Sequence, residues 1–545
     1  MDAGLAAMCA ADRGFLTWVA TRAAMPVEAL WERLIGTVHD GPGTRLEGGR
    51  LVTLDLSVIG PALRDAVGEA AMLSPPLYGL DHLTYLDCSG VGFDRLDVSG
   101  LPRLTELRCA DNRLRHLDLG PAGLEVLDCS GNQLMVLDPR PCPELRVLRC
   151  SGNGLGALVL AEGTALTHLD CSRNQIMVLD LGEQPRLTVL RCFQNALVRL
   201  SVASAPALVH LDASENELPA VDLPVLPALQ VLALGINWLS EVPVRGALAL
   251  RELSIERNYV DALDLRTHAA LQRVEASYNQ LAVLALGVHP ALQVLDVAHN
   301  RLGALALGGA AALEVLEVQG NALSVLDLTG LQQLCALDCT GNTLAVLSPR
   351  DAPRLARLSC QDNRIATLDV RGNGELFRLW SGEADVHATP RQRRRIPTLR
   401  LAAGLPEHED PERMDAFELH EAALQARGRG SEERLLQLAR HPRCDLGTAL
   451  LIYWTGAPHY YLQYASGDEL VEYKRVGWEV LRAIEDRVER GDFQTAEIWF
   501  DPHHDKQTRS VRGVDWTVDD RLLRSPQCRS IPPWMVRATS AAPVP

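Results

Sequence analysis

Asparagine recurs at positions 112, 132, 153, 174, 195, 216, 237, 258, 279, 300, 321, 342 and 363; the first step is 20 residues and every later step is 21. Around each Asn stands one frame, for example Leu104-x-x-Leu107-x-Cys109-x-x-Asn112-x-Leu114-x-x-Leu117-x-Leu119. A unit from Leu83 to Val91 carries the frame with Val in place of Asn, which makes 14 units, and a partial unit begins at Leu376-x-x-Leu379. A fixed period of this length constrains the fold more than any other feature, because each unit buries its apolar face only against its neighbours. In L-x-L the side chains alternate, so both leucines enter one core while the residue between them points outward. The Asn closes the turn after the strand, where its amide can satisfy backbone groups that would otherwise be buried and unpaired. Fourteen strands spaced about 4.8 Å apart give a stack roughly 65 Å long.

The frame L-x-x-L-x-L-x-x-N-x-L resembles the leucine-rich repeat family over residues 83–379. That resemblance implies an α/β fold, a solenoid with a curved parallel β-sheet, used mostly for protein recognition. The L-D-C-S-x-N-x-L variety is similar to short bacterial repeats, and the second L-x-x-L-D-L predicts another extended segment on the far side. Bacterial effectors with a P-x-L-P spacing are a poorer match.

Eight cysteines (88, 109, 129, 150, 171, 192, 339 and 360) fall three residues before the Asn position, where other units hold Ala213, Leu234, Ile255, Ala276, Val297 and Val318. A site that accepts all of these wants a modest apolar filler, and buried free Cys behaves as one. No His joins the cysteines, so the ladder is read as packing, with no metal and no cofactor.

One step after the central Leu stand Asp87, Arg108, Asp128, Arg149, Asp170, Arg191 and Asp212. Neighbouring strands then carry opposite charges side by side, a pattern that fixes register. Beyond Asp212 the alternation ends and mostly acidic residues follow: Ala233, Ser254, Glu275, Asp296, Glu317 and Asp338. Near the same change the loop-side positions gain large residues: Phe193, Ile236, Trp238 and Arg257, then Tyr259, Tyr278 and His299. Aromatics beside Arg are the residue types that dominate binding hot spots, so these seven are the candidate partner-binding residues. Of the 25 aromatic residues only seven lie in 83–379, and four of those fall between 193 and 278.

Residues 1–82 read as an N-terminal cap, with a helix near 27–38, a strand at 51–56 and a helical stretch near 62–72. The repeats occupy 83–385. Residues 386–411 contain Pro390, the basic run from Arg391 to Arg395 and the acidic run 408–411, the composition of a linker. From 412 to 545 the pattern becomes that of a mainly helical, aromatic-rich domain, with helices at 414–426, 432–439, 446–454 and 469–490 and Asp445 as the N-cap of the third. The segment HPRCDLGTALLIYW at 441–454 resembles a bacterial domain family of unknown function over about 415–505, with Ile498-Trp-Phe-Asp-Pro502 similar to its closing motif.

Two places invite a catalytic reading. Cys444 stands at a helix entry, and bacterial repeat-containing effectors can carry a helical ubiquitin-ligase domain with a nucleophilic Cys, but the Cys-x-Asp pattern of that family is absent, and Cys444 reads as a packed residue. Asp501, His503, His504 and Asp505 carry metal-ligand chemistry without a supporting frame and read as a polar turn. No phosphate loop, dinucleotide fingerprint or nucleophile elbow is present in the sequence, so no catalytic residue is assigned.

The net charge of −16 and pI near 5.4 argue against nucleic acid, and no apolar run is long enough for a membrane span. Thirteen cysteines and the lack of a basic leader point to a bacterial cytoplasm. The expectation is a non-enzymatic scaffold that binds a protein partner, neutralising a bacterial toxin or assembling a complex, with no small-molecule substrate. The competing expectation is an effector whose C-terminal domain is an enzyme.

Overall fold

The computed structural model describes residues 3–36, 43–60, 74–120, 123–161, 163, 165–396, 398–399, 414, 419, 422–423, 426, 432–455, 472–490 and 492. The chain divides into two compact units, residues 1–326 and 327–545.

The first unit opens on three helices: α1 (Ala3–Ala7), α2 (Ala10–Arg22) and α3 (Val27–Gly36). The third matches the periodicity of its residues, whereas α2 was not evident in the sequence. Its apolar residues Phe15, Leu16 and Val19 lie within an otherwise mixed run, yet all three are buried. A hairpin of Arg45–Glu47 with Arg50–Asp55 follows. The second of these strands pairs in parallel with Tyr85–Asp87, with Leu54 beside Leu86. The cap therefore supplies the strand on which the first repeat is laid. Asp12 of α2 fastens the helix to that hairpin, accepting from the Leu51 amide at 2.6 Å, and the Trp18 ring reaches the first repeat, 6.4 Å from that of Phe93. The stretch read as helical near 62–72 lies outside the described residues.

From there each three-residue strand pairs in parallel with the same frame position one repeat on. Leu107 is beside Leu127, Leu127 beside Leu148, and so on to Leu295 beside Leu316. The central leucines are buried to within a few per cent, each burial worth about 1.5–3 kcal/mol. The second extended segment of the frame is present as well, pairing Arg95–Asp97 with His116–Asp118, Val178–Asp180 with Arg199–Ser201 and Ala262–Asp264 with Val283–Ala285. The unit is a parallel β-solenoid of 21-residue turns.

The Asn ladder locks successive turns. Asn237 donates from its amide to the carbonyls of Ala213 (3.0 Å) in the turn before and Leu234 (3.1 Å) in its own, while its Oδ1 accepts from the Leu218 amide at 3.0 Å. The same triple contact is made by Asn132, Asn174, Asn216, Asn258 and Asn300. The ladder cysteines are buried and free, and burial pushes their thiols well above the usual range.

The alternating acids and arginines do stand side by side on neighbouring strands, Asp87 by Arg108 and Arg191 by Asp212. The carboxylates, however, turn toward their own chain: Asp87, Asp128, Asp170 and Asp212 each accept from the amide of the Ser two residues on, at 2.9–3.1 Å. Arg108 bridges Glu106 of its own strand at 2.7 Å. The aspartates thus also bend the chain out of the strand.

In the second unit the strands Ala336–Asp338, Arg357–Ser359 and Arg378–Trp380 pair in the same parallel register, and Thr367–Asp369 pairs with Asp385–His387. The stretch whose composition reads as a linker is folded where it is described. Thr389 and Gln392 form a capping box at the start of α4 (Pro390–Arg395). The buried Gln392 amide also donates to the carbonyls of Val370 (2.6 Å) and Asn373 (2.8 Å). Arg395 donates to the carbonyls of Gly374 and Glu375. The basic run is therefore a short helix that satisfies backbone groups of the last turns.

Further along the same unit are α5 (Glu432–Arg440), α6 (Leu446–Thr455) and α7 (Glu472–Glu489), packed around Leu438, Leu450, Tyr453, Leu481 and Ile484. Arg487 of α7 donates to the carbonyls of Ala439 (2.7 Å) and His441 (3.0 Å), closing the C-terminus of α5. Most of the helix expected at 414–426 lies outside the described residues. No helix among the described residues is long and apolar enough to cross a membrane.

Candidate functional site

The residue before each ladder Asn must adopt a left-handed backbone conformation. In several turns it is Gly, as at Gly131 and Gly152 (φ +65° at each). In seven successive turns it is not: Arg173, Gln194, Glu215, Ile236, Arg257, Tyr278 and His299 all hold φ between +52° and +57°. This conformation costs an L residue about 1–2 kcal/mol, and it is a genuine outlier for a β-branched side chain such as Ile236. Its repetition through seven turns builds a continuous row of side chains along one edge of the solenoid.

Backbone hydrogen bonds hold the row straight. The amides of Ile236, Arg257, Tyr278 and His299 donate to the carbonyls of Glu256, Ser277, Ala298 and Gln319 in the following turns, at 2.7–2.9 Å. The side chains then meet one another. Arg173 donates to Gln194 (2.9 Å) and Gln194 to Glu215 (2.8 Å) at one end. At the other end the Arg257 guanidinium lies 4.8 Å over the Tyr278 ring, and that ring stacks on His299 at 4.3 Å.

Beside this row, on the other side of the Asn, stand Trp238 and Tyr259. Their amides are held by the carbonyls of Leu218 (3.0 Å) and Leu239 (2.8 Å). Trp238 is 52% exposed, Tyr259 54%, Tyr278 46% and Ile236 43%. Six of the seven candidate residues thus share one edge across four successive turns: Ile236, Trp238, Arg257, Tyr259, Tyr278 and His299. Phe193 does not join them. It occupies a different frame position two turns earlier, half-buried, with Arg173 5.6 Å over its ring.

The acidic residues that follow Asp212 in the strand row divide differently from their even spacing in the sequence. Glu275 and Asp296 are buried, with Arg273 bridging Glu275 at 3.4 Å and Asp296 accepting from the Ala298 amide. Exposed acid near the aromatic edge comes instead from Glu215, Glu217, Glu241 and Asp261. Sequence reasoning singled out the aromatics by size alone. The signal for the whole row was Gly at the same frame position in neighbouring units, which marks a left-handed site and makes every bulky substitute there conspicuous.

The chemical candidates fall elsewhere. Cys444 is buried against Leu450 and Ile452, its amide bonded to the His441 carbonyl at 2.9 Å. Burial pushes its thiol up to about 12 despite the neighbouring Arg487, so it is protonated at neutral pH. Asp501, His503, His504 and Asp505 lie outside the described residues. Among the described residues no group of three or more His, Cys, Asp or Glu is placed to hold a metal ion. A cavity of about 610 Å³ lies beside α5 and α7, lined by Arg440, Trp478, Arg482, Asp486 and Arg490 among others. Its arginines are engaged: Arg440 with Glu479, Arg482 with Glu485 and Asp486, Arg490 with Asp486 and Asp492, and Arg487 with the carbonyls of Ala439 and His441.

Residues 430–488 match the family described as Domain of unknown function (DUF4274), which covers α5 to α7. No curated protein sequence matches the chain. Among solved structures, the chain is similar to the functional domain of InlJ from Listeria monocytogenes, described as including a cysteine ladder. The two share 25% identity over 60% of this chain and 70% of that one, with a TM-score of 0.48. It is also similar to a leucine-rich repeat protein of Leptospira interrogans (22% identity, 58% and 94% covered, TM-score 0.47). A third is the leucine-rich effector YopM of Yersinia pestis (23% identity, 56% and 88% covered, TM-score 0.39). The leucine-rich repeat solenoid itself rests on the parallel registers and the Asn ladder described above.

Proposed function

We propose that the protein is a non-enzymatic interaction scaffold whose loop edge, from Ile236 to His299, holds a protein partner. The observation that carries this reading is the run of bulky residues kept at left-handed backbone positions where Gly would be less costly. Strain of this kind persists where it serves something other than stability, and here it presents Ile236, Arg257, Tyr278 and His299 along one line beside the exposed rings of Trp238 and Tyr259. Large, rigid side chains with few torsions lose little entropy when a partner covers them, which favours protein recognition.

Residues 412–545 are a second module within this reading, and 83–385 the recognition array. A bacterial cytoplasmic setting, in which the scaffold neutralises a toxin or assembles a complex, agrees with the thirteen cysteines and the acidic charge. Replacing Trp238 and Tyr259 together with Ala tests it. Both are exposed, so the fold should survive, and capture of the partner from an extract of the source organism should be lost. Undiminished capture would move the binding site elsewhere.

A further inference from the structure

We infer that the occupant of the Trp238–Tyr259 edge is a protein segment bearing arginine or lysine side chains, a conclusion that rests on the docking reading above. Three observations on that edge agree. First, the two outermost rings, Trp238 and Tyr259, each leave about half their surface open, and an indole or phenol face attracts a cation laid over it. Second, four exposed carboxylates flank the rings on the same and the preceding turns, against the one exposed Arg257 that precedes Tyr259 by two residues. Glu215 and Glu217 stand on the preceding turn, Glu241 follows Trp238 by three residues, and Asp261 follows Tyr259 by two. Third, Arg257, on the same turn as Tyr259, is already laid over Tyr278 at 4.8 Å, the geometry that an incoming guanidinium would adopt on the neighbouring rings.

An acidic segment would meet four exposed carboxylates and lose affinity through like-charge contact. A phosphate backbone would be repelled for the same reason. An entirely apolar segment would cover the rings but leave the acids against a low-dielectric surface without counter-charge. A basic segment with interspersed aliphatic residues satisfies both halves of the edge. Its cations stack on the rings or pair with Glu217, Glu241 and Asp261, while its apolar side chains cover Ile236.

The test uses the full-length chain and three labelled synthetic peptides of equal length and leucine content, carrying arginines, glutamates or serines at the same positions. Fluorescence anisotropy at low and high salt reads binding. The arginine peptide should bind, weaken with salt, and lose about tenfold or more in affinity to the triple variant Glu217→Gln, Glu241→Gln, Asp261→Asn and to Trp238→Ala. A control triple variant on the second set of strands, Asp97→Asn, Asp118→Asn, Asp180→Asn, should bind unchanged, which separates the edge from general attraction to an acidic protein. Equal binding of the serine or glutamate peptide, or equal loss in the control variant, overturns the inference. If a native partner crosslinks at position 259 but no arginine peptide binds, the docking reading stands and its basic chemistry falls.

Discussion

The ring of Tyr278 lies on the imidazole of His299 with 4.3 Å between centroids and 20° between planes, although the two residues are a full turn of the solenoid apart. Both hold positive φ, and their stacking follows from that shared conformation: one left-handed residue per turn projects the side chains along the same line. The spacing of that line is close to the distance between stacked strands, which suits aromatic contact.

If these positions sacrifice stability for binding, glycine should reverse the exchange. Ile236→Gly and Tyr278→Gly are expected to raise the free energy of unfolding by about 0.5–1 kcal/mol, since Gly enters the left-handed region without the Cβ penalty. Tyr259, at ordinary φ, provides the contrast: Tyr259→Gly should be neutral or destabilising. Urea unfolding of the three variants measures this, and destabilisation by all three would remove the strain argument.

The Asn ladder carries a larger and opposite expectation. Asn237→Ala leaves the Leu218 amide and the carbonyls of Ala213 and Leu234 without their bonds in a buried place. The cost should be about 3 kcal/mol or more, because each orphaned buried group costs on the order of 1–3 kcal/mol. A loss below about 1 kcal/mol would mean that neighbouring backbone readily takes over the role.

Charge burial predicts a pH effect of defined sign. Asp87 lies beside Asp55 on the adjacent strand, and burial raises its carboxyl to about 6 from 3.8. Burial raises Asp170 and Asp212 as well. A folded state that holds a proton more tightly than the unfolded chain loses stability as pH rises through the window from about 4 to 6, then stays level above it. The shift at Asp87 corresponds to at most about 3 kcal/mol. Asp87→Asn keeps an oxygen for the Ser89 amide and removes the buried charge, so its Tm should exceed that of the parent at pH 7.5 and converge with it near pH 4. Buried His289, whose pKa burial lowers from 6.5, acts the other way, losing stability as pH falls below that value. The difference between variant and parent cancels that contribution; a lower Tm at pH 7.5 for Asp87→Asn would contradict the account.

Thiol accessibility distinguishes packing from chemistry. Ten of the described cysteines are buried, and Cys9 and Cys335 are partly exposed. A thiol reagent at pH 8 should label Cys9 and Cys335 while Cys444 and the ladder react only after unfolding, as mass spectrometry of the peptides would read out. Rapid labelling of Cys444 in the folded protein would reopen a nucleophilic role.

Much of this architecture is legible in one sequence because the repeat writes the same physics thirteen times. Asn237 and Cys171 could be given their roles from spacing alone, since a buried turn needs an amide and a stacked core accepts a small thiol. Three things were hidden. The local turn made by Asp87 with the Ser89 amide looks, in the sequence, like a cross-strand charge pattern, because both place an acid next to the strand. The conformational peculiarity of Ile236 is a backbone property, visible only by setting it beside Gly131 and Gly152 in the frame. Gln392 sits in an arginine run whose composition reads as a linker, yet its one amide fills the carbonyls of Val370 and Asn373 and converts the run into a helix at the end of the repeats.

The central claim is that the edge around Tyr259 faces a protein partner, and site-specific photocrosslinking in the source organism tests it most directly. A benzophenone amino acid at position 259 should give a discrete protein adduct that disappears with Trp238→Ala, while the same group at Met135, 75% exposed on a distant turn, should give none. An absence of adducts at 259, or the same adducts at both positions, would contradict it.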